Sequence, residues 1–489
     1  MYPLRVACLT ILILRPKATM TNVQVIQPKN VIQPRSIKGR FRNLKTGIMI
    51  LAYAVFFILP WLRWERAVGP DQAVMFDIPT RRYYMFDLVM HAQDVFWLTA
   101  LLFLAAVLLF FVTTLLGRVF CGYFCFQTLW TDAFRFIEKG IQGDRVARIR
   151  LEKQPWNQEK ILKIGATHAA WLALSLWTGL TFVLYWGDAF TLTKDFFTGN
   201  APGSAYFTAF LLMTTTYLAA GFMREYICLH VCPYARFQSV MFDQDTLIVS
   251  YDQKRGEGTT GRATPIKDLR DRAVRQAEGH GDCVDCGLCV QVCPTGIDIR
   301  DGLQIACIHC ALCIDACDSI MDKYQWPRGL IRYTSENALE GKKTHFFKLR
   351  TIGYGVATLL AAAYLVWSIS STKMLEATAV QVRSPLYVVL SDGSIQNSYE
   401  VKINNKTQVA ASYSLSLDDL EGASLSLGQV DPNNISLGPD TSIRVLAKVK
   451  QPATARKGSK RNREFHFKLE PTSGEVTEPV IIPSQFMMP

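Results

Sequence analysis

The sequence predicts a multi-domain membrane protein: an α-helical transmembrane bundle of about five spans, an inserted cysteine-rich domain, and a C-terminal β-sandwich. Three observations predict this. Hydrophobic residues, 49% of the 489, gather in long runs instead of spreading evenly. Eight of the thirteen cysteines crowd into residues 283–317. Beyond residue 375, short alternating apolar runs are separated by Gly, Asn, Asp and Pro. The chain also exceeds the roughly 100 to 200 residues of one compact domain.

A helix needs about 20 apolar residues to cross a bilayer. Five segments qualify: 46–64, 95–116, 161–186, 206–226 and 350–370. The aromatic-rich stretch 119–137 is interrupted by Asp132 and Arg135 and is expected to be an interfacial or re-entrant helix. Near the N-terminus the patch VACLTILIL lacks a small-residue cleavage site, so a signal peptide is not expected. Met20 would serve equally well as a translation start, and Cys8 reads as a stray thiol.

Lys and Arg in the connecting loops set the expected orientation. Residues 1–45, read as a cytoplasmic tail, hold nine such residues and no acid, and 117–160 hold eight. Residues 187–205 hold only Lys194 against Asp188 and Asp195. The N-terminus and the loop 227–349 are therefore expected inside a bacterial inner membrane, and residues 375–489 in the periplasm. The net charge of +12 fits this juxtamembrane excess. No basic patch is interleaved with aromatics, so nucleic acid is not an expected partner; membrane lipid is.

Within the large loop, at about 275–325, lies an internal repeat. Cys283, Cys286, Cys289 and Cys293 follow CxxCxxCxxxCP with Pro294, and Cys307, Cys310, Cys313 and Cys317 repeat the spacing. Two-residue gaps let one tight loop deliver three thiolates to one iron-sulfur cube. In two-cluster ferredoxins the fourth cysteine of each run serves the other cluster. Cys283, Cys286, Cys289 and Cys317 are thus assigned to one [4Fe-4S] cluster, and Cys307, Cys310, Cys313 and Cys293 to a second. Zinc is the competing ligand for CxxC pairs, but three consecutive steps followed by Cys-Pro favour iron. Asp318 stands where the second run would place proline, which changes the turn without removing a ligand.

A second set of thiols has a different pattern. Cys121 and Cys125 follow the second span, and Cys228 and Cys232 follow the fourth. The i,i+4 spacing predicts two thiols on one helix face in each pair, and two such faces would form a four-sulfur site at the cytoplasmic membrane surface. Such thiolates suit Cu(I), disulfide exchange or iron-sulfur ligation; small buried residues at helix ends are the plainer alternative. His230, Met223 and Met241 lie nearby in sequence and are read as packing residues. His91, His168 and His280 are isolated, and no pair is spaced for a bis-histidine haem. Neither a GxGxxG after a strand nor a P-loop occurs, which leaves dinucleotide binding and nucleotide hydrolysis without support.

The segments CGYFCFQTLWTD (121–132), CLHVCPYARFQ (228–238), FDQDTLIVSYDQKRGE (242–257), GDCVDCGLCVQVCPTGIDIRDGLQ (281–304), CIDACDSIMDK (313–323) and WPRGLIRYTSEN (326–337) together resemble the CcoG/FixG/RdxA family of cytochrome c oxidase accessory proteins. The resemblance implies an immunoglobulin-like C-terminal domain. It also implies a cupric reductase that turns Cu(II) into Cu(I) for the copper site of cbb3-type cytochrome c oxidase, with Cys121, Cys125, Cys228 and Cys232 as the copper-handling thiols. The implied partners are oxidase subunits, copper chaperones or transporters, and a cytoplasmic electron donor. Two departures stand out: Phe126 where the family's first pair reads Cys-Pro, and Ala306 where an acidic residue is common. A quinol-linked membrane ferredoxin and a non-catalytic assembly factor are the alternative readings of the same layout.

Overall fold

The computed structural model describes residues 32–488 apart from 67, 92–93, 266, 372 and 453–461. The apolar patch around Cys8, and Met20, lie outside the described residues. The first two spans are α1 (Arg40–Ile58), continued by a 3₁₀ turn to Trp61, and α2 (Val95–Leu116). Connecting helices α3 (Val119–Tyr123), α4 (Phe126–Gln142) and α5 (Arg145–Lys153) follow. The third span is α6 (Gln158–Leu184); after the short α7 (Ala189–Thr198) comes α8 (Gly203–Thr216), which opens the fourth. Leu349–Ser370 is the fifth. All five spans are long and apolar enough to cross a membrane, and their outward Leu, Val and Phe side chains, such as Leu51, Leu102 and Phe103, are exposed. Lipid supplies the solvent for such faces.

Two spans reach further than their hydropathy indicates. The first begins at Arg40, not near 46, because its early charges are paired: Arg42 meets Asp132 of α4 at 3.0 Å, and Lys45 approaches the same carboxylate at 3.9 Å. The fourth runs from Gly203 to Val231. Two π-helical segments, Tyr217–Met223 and Ile227–Val231, carry it past the expected end at 226. Close crossings use small residues. A Cβ on Gly179 of α6 would collide with the Ala209 carbonyl of α8, and one on Gly355 would stand 3.1 Å from Phe111 of α2.

At one end of the bundle, between the first two spans, β1 (Val74–Asp77), β2 (Arg82–Met85) and β3 (Leu88–His91) form an antiparallel sheet that the sequence reading left unassigned. Buried Gln72 anchors this region by donating to the carbonyls of Val74 and Leu184, both at 2.9 Å. At the opposite end the cysteine-rich domain is flanked by β4 (Ile248–Tyr251) and β5 (Ile331–Thr334), which pair antiparallel.

The C-terminal domain is a sandwich of two antiparallel sheets. Its strands are β6 (Leu375–Gln381), β7 (Val388–Val389), β8 (Ile395–Asn405), β9 (Ala411–Asp418), β10 (Ser424–Ser426), β11 (Ile435–Leu437), β12 (Thr441–Gln451), β13 (Asn462–Ser473) and β14 (Val480–Met487). One sheet has the order β10-β12-β8-β6 with β7 beside β8, and the other β11-β9-β13-β14. Alternate residues face inward. Tyr399 packs edge-on to Phe465 and Phe467 between the sheets, at 5.5 and 5.3 Å.

The sandwich docks on the β1–β3 end through charges. Arg82 pairs with buried Asp440 at 2.9 Å, and Lys406 bridges Asp94 and Glu376 at 3.2 and 2.7 Å. His91 is not isolated, contrary to the sequence reading. Its Nε2 meets Asp440 at 2.8 Å, and Asp94 lies on its other side. The hydrogen bond to Asp440 and the nearby Asp94 carboxylate raise the His91 pKa, against burial and the nearby Lys406. A raised folded-state pKa adds stability that is complete below the unfolded value of about 6.5 and fades as pH climbs through the folded one. The expected outcome is a gap in melting temperature between wild type and His91→Gln that is widest below about pH 6.5 and narrows as pH rises through the raised folded-state value. A gap independent of pH in differential scanning calorimetry would remove the imidazolium from the interface.

Candidate iron-sulfur and thiol sites

The two halves of the cysteine repeat fold alike. In the first, Asp285 and Gly287 flank Cys286 with φ of 49° and 61°; in the second, His309 and Ala311 flank Cys310 with φ of 50° and 61°. Three of these four residues carry a Cβ, and left-handed backbone costs such a residue about 1–2 kcal/mol. The strain turns each loop tightly enough to aim successive thiols at one point. Each loop then enters a helix, Leu288–Gln291 or Leu312–Lys323. Pro294 ends the first run, whereas Asp318 lets the second helix continue for twelve residues and accepts from the Gly329 N–H at 3.0 Å.

The thiols gather around two neighbouring cavities. Cys283, Cys286, Cys289 and Cys317 line one, and Cys293, Cys307, Cys310 and Cys313 line another, which Cys289 also borders; each holds about 20 Å³. The fourth cysteine of each run has crossed to the other set. Tetrahedral zinc at about 2.3 Å per Zn–S bond would hold its sulfurs about 3.8 Å apart. Among the described residues, no three Cys, His, Asp or Glu side chains converge that closely around one ion. Four thiols spread wider than single-ion distance around one centre suit a cluster. Burial pushes the thiols of Cys289 and Cys307 up to about 12, and it raises Cys310, Cys313 and Cys317 as well. Bare thiolates are unfavourable in such surroundings, and bound iron would supply the missing positive charge.

Charged neighbours fix the outer set. Fully buried Arg275 donates to the Cys283 carbonyl at 2.7 Å and to the Ala263 carbonyl at 2.7 Å, and stacks on Trp326. Asp282 is held by Arg255 at 2.7 Å and Arg272 at 3.0 Å. Cys286 alone among the eight is exposed. The inner set is turned toward the membrane helices.

The four remaining thiols are placed differently from the i,i+4 expectation. Neither pair lies on one continuous helix face. Cys121 sits in α3, but Cys125 is the extended N-cap residue of α4, with φ −64° and ψ 129°. Cys228 lies in the final π-helical turn of the fourth span, not past its end, and Cys232 is the extended N-cap of the helix Pro233–Val240, with φ −74° and ψ 114°. Proline forces the residue before it out of helical geometry. Phe126 lacks that constraint, yet Cys125 adopts the same conformation, so the departure from Cys-Pro leaves the local shape intact. The four thiols interact electrostatically with one another, although no three stand at single-ion distance.

Cys121 connects this group to the inner cavity. Its thiol donates to Gln238 Oε1 at 3.0 Å, and burial raises its pKa against the pull of Arg118. It shares one apolar core with Cys310, Ile308, Leu312 and Ala316. Two glycines permit the approach: a Cβ on Gly122 would lie 2.7 Å from the Ile308 carbonyl oxygen and 3.0 Å from Cys310 Cα, and one on Gly117 would lie 2.5 Å from His309 Nδ1. Tyr123 donates to the Cys310 carbonyl at 3.1 Å, and Tyr333 to that of His309. His309 is fully buried, accepts from the Arg118 N–H at 3.0 Å and stacks on Phe242. Burial and Arg118 push its imidazole down to about 4, which keeps it neutral. Arg118, His309 and Gln238 escaped the sequence reading, since only the fold brings them together. His168 bonds Tyr217 at 2.9 Å and His280 bonds Thr260 at 3.0 Å, so both are structural.

Comparison with known proteins agrees with this arrangement. A 4Fe-4S dicluster domain matches residues 223–336, a 4Fe-4S binding domain matches 97–142, and the immunoglobulin-like fold at the C-terminus of FixG matches 365–489. The protein RdxB of Cereibacter sphaeroides is 42% identical over 81% of this chain and 83% of its own, and RdxA of the same organism is 38% identical over 81% and 84%. The nitrogen fixation protein FixG of Rhizobium meliloti is 35% identical over 86% of both chains. The chain belongs to the FixG/Rdx family. It is a membrane iron-sulfur electron-transfer protein with a C-terminal immunoglobulin-like domain.

The contact at Gly122 is open to a direct check. Gly122→Val would press two methyl groups onto the backbone of 308–310, and overpacking of this kind costs about 1–3 kcal/mol. Iron per chain should fall and the melting temperature should drop. Full iron content with unchanged melting would mean the two elements are not in contact.

Proposed function

We propose that this FixG/Rdx protein is a cupric reductase: it takes up Cu(II) at the thiols of Cys121, Cys125, Cys228 and Cys232 and releases Cu(I) for the copper site of a cbb3-type cytochrome c oxidase. The observation that carries the reading is the shared core of Cys121 and Cys310, which puts one of these soft ligands against a cluster-binding loop. When bound, the [4Fe-4S] clusters supply single-electron transfer.

The protein's residues account for the rest. Cys121 releases its proton when copper displaces the hydrogen bond to Gln238. Arg118, buried beside it, compensates the thiolate charge. Thiolate donors favour Cu(I) over Cu(II), which adds driving force. Each copper gains one electron, drawn from a cytoplasmic donor, and leaves as Cu(I).

The proposed orientation has the cysteine-rich domain in the cytoplasm of a bacterial inner membrane and the β-sandwich in the periplasm. The Lys and Arg excess in 117–160 supports it. In this arrangement the sandwich meets oxidase subunits or copper chaperones and transporters.

The test replaces Cys121, Cys125, Cys228 and Cys232 by Ser in purified, cluster-loaded protein. Copper reduction, followed with a Cu(I)-specific chelator, is expected to fall by about 10² or more once the soft ligands are gone, with iron content unchanged. Undiminished reduction at full iron content would overturn the role of these thiols.

A further inference from the structure

Beside the inner cluster cavity, where the segment 34–38 crosses α4 and α5, lies a separate, partly open cleft of about 250 Å³. That is close to the lower end of small-molecule sites, about 300 Å³. Its charge is one-sided. Arg35, Lys38, Arg42, Arg135, Lys139 and Arg148 line it, opposed by only Asp132 and Asp144. Among the described residues, ion pairs occupy Arg42, Arg135 and Arg148, while Arg35, Lys38 and Lys139 make none.

The walls are built, not incidental. Arg35 N–H donates to the Gln291 carbonyl at 2.8 Å and Ser36 N–H to Asp144 at 3.2 Å, which fixes the crossing segment. Arg148 is 94% buried, bonded to Glu138 and to the Pro34 carbonyl at 2.7 Å each, yet its Nε has no acceptor. The Nε of Arg135 is also without an acceptor. Burial, and after it the neighbouring Arg224, lower the Arg135 pKa against the carboxylates of Glu225, Asp132 and Glu138. The remaining wall is apolar: Phe136, Val292, Pro294 and Leu312. Pro294 is common to this cleft and the inner cluster cavity, and Val292 and Leu312 adjoin Cys293 and Cys313.

We infer that this cleft binds a phosphate-bearing anion with an apolar body, its phosphate held by the guanidinium and ammonium groups and its body laid against the Phe136–Pro294 wall. Guanidinium groups recognise phosphate through paired, charge-assisted hydrogen bonds. Two sources carry this chemistry: a soluble phosphorylated cofactor such as flavin mononucleotide, or the headgroup of an anionic phospholipid, which the position beside α1 would also admit. The inference does not rest on the copper reading.

The experiment uses full-length, cluster-loaded protein in nanodiscs of phosphatidylcholine alone or doped with phosphatidylglycerol. Flavin mononucleotide binding is followed by fluorescence anisotropy, and retained phosphatidylglycerol by native mass spectrometry. The comparison protein carries Arg35→Gln, Lys38→Gln and Lys139→Gln, all exposed positions, and its fold is verified by cluster absorbance. Saturable flavin mononucleotide binding in phosphatidylcholine discs, weakened about tenfold or more in the variant and competed by inorganic phosphate, supports a soluble occupant. Selective retention of phosphatidylglycerol, lost in the variant, supports the lipid. If neither probe binds wild-type protein, or binding is the same in the variant and insensitive to phosphate, the inference falls. Phosphate competition on wild-type protein decides the matter should the variant fail to fold.

Discussion

The backbone contact between α3 and the loop 308–310 is the constraint on which the rest of the molecule depends. It exists only because Gly117 and Gly122 present no side chain to that loop. With the two backbones so close, Cys121 and Cys310 enter one core, and the tyrosines at 123 and 333 close over the loop carbonyls. The end of a membrane span and a cluster-binding loop therefore move as one piece. Close-packed interiors do not deform gradually, so the spacing between the two groups of thiols is set by the fold.

Buried charge performs the same service on the other side. Asp315, in the helix that carries Cys313 and Cys317, accepts from the N–H groups of Phe41 and Arg42 at 3.2 and 2.8 Å. A residue of the cysteine-rich domain thereby caps the first span, at the helix end where a carboxylate is favoured. Glu138 of α4 joins Arg148 and Arg224, drawing α5 and the fourth span together. Removing one member of such a buried group leaves an uncompensated charge, at about 3–5 kcal/mol. The domain is thus fastened to the membrane helices by polar contacts that cannot be relaxed one at a time.

Much of this was legible in the amino acids. The cysteine repeat reports its own pairing because thiol spacing is a local property, and the crossing of Cys293 and Cys317 follows from it. Hydropathy located the spans, but their ends were misjudged where charge is neutralised by tertiary contact, as at Lys45, or where helical geometry changes, as in the π-helical segments ending at Val231. The i,i+4 reading of the CxxxC pairs assumed a continuous helix. Cys232 could have been placed from Pro233, since proline restricts its predecessor; Cys125 carries no such signal. His309, Gln238 and the Asp440–His91 contact join residues far apart in the chain, which no period or motif encodes.

Solvent reaches the two cysteine sets unequally. Cys286 lies open at the outer cavity, whereas the inner one is shut in by α3, Tyr123 and the buried His309. Oxidants attack cysteine thiolates according to their exposure. Oxidative damage should accordingly be ordered: the outer group erodes first and shields the deeper one. A chain that had lost its surface iron would still keep the portion nearest the membrane.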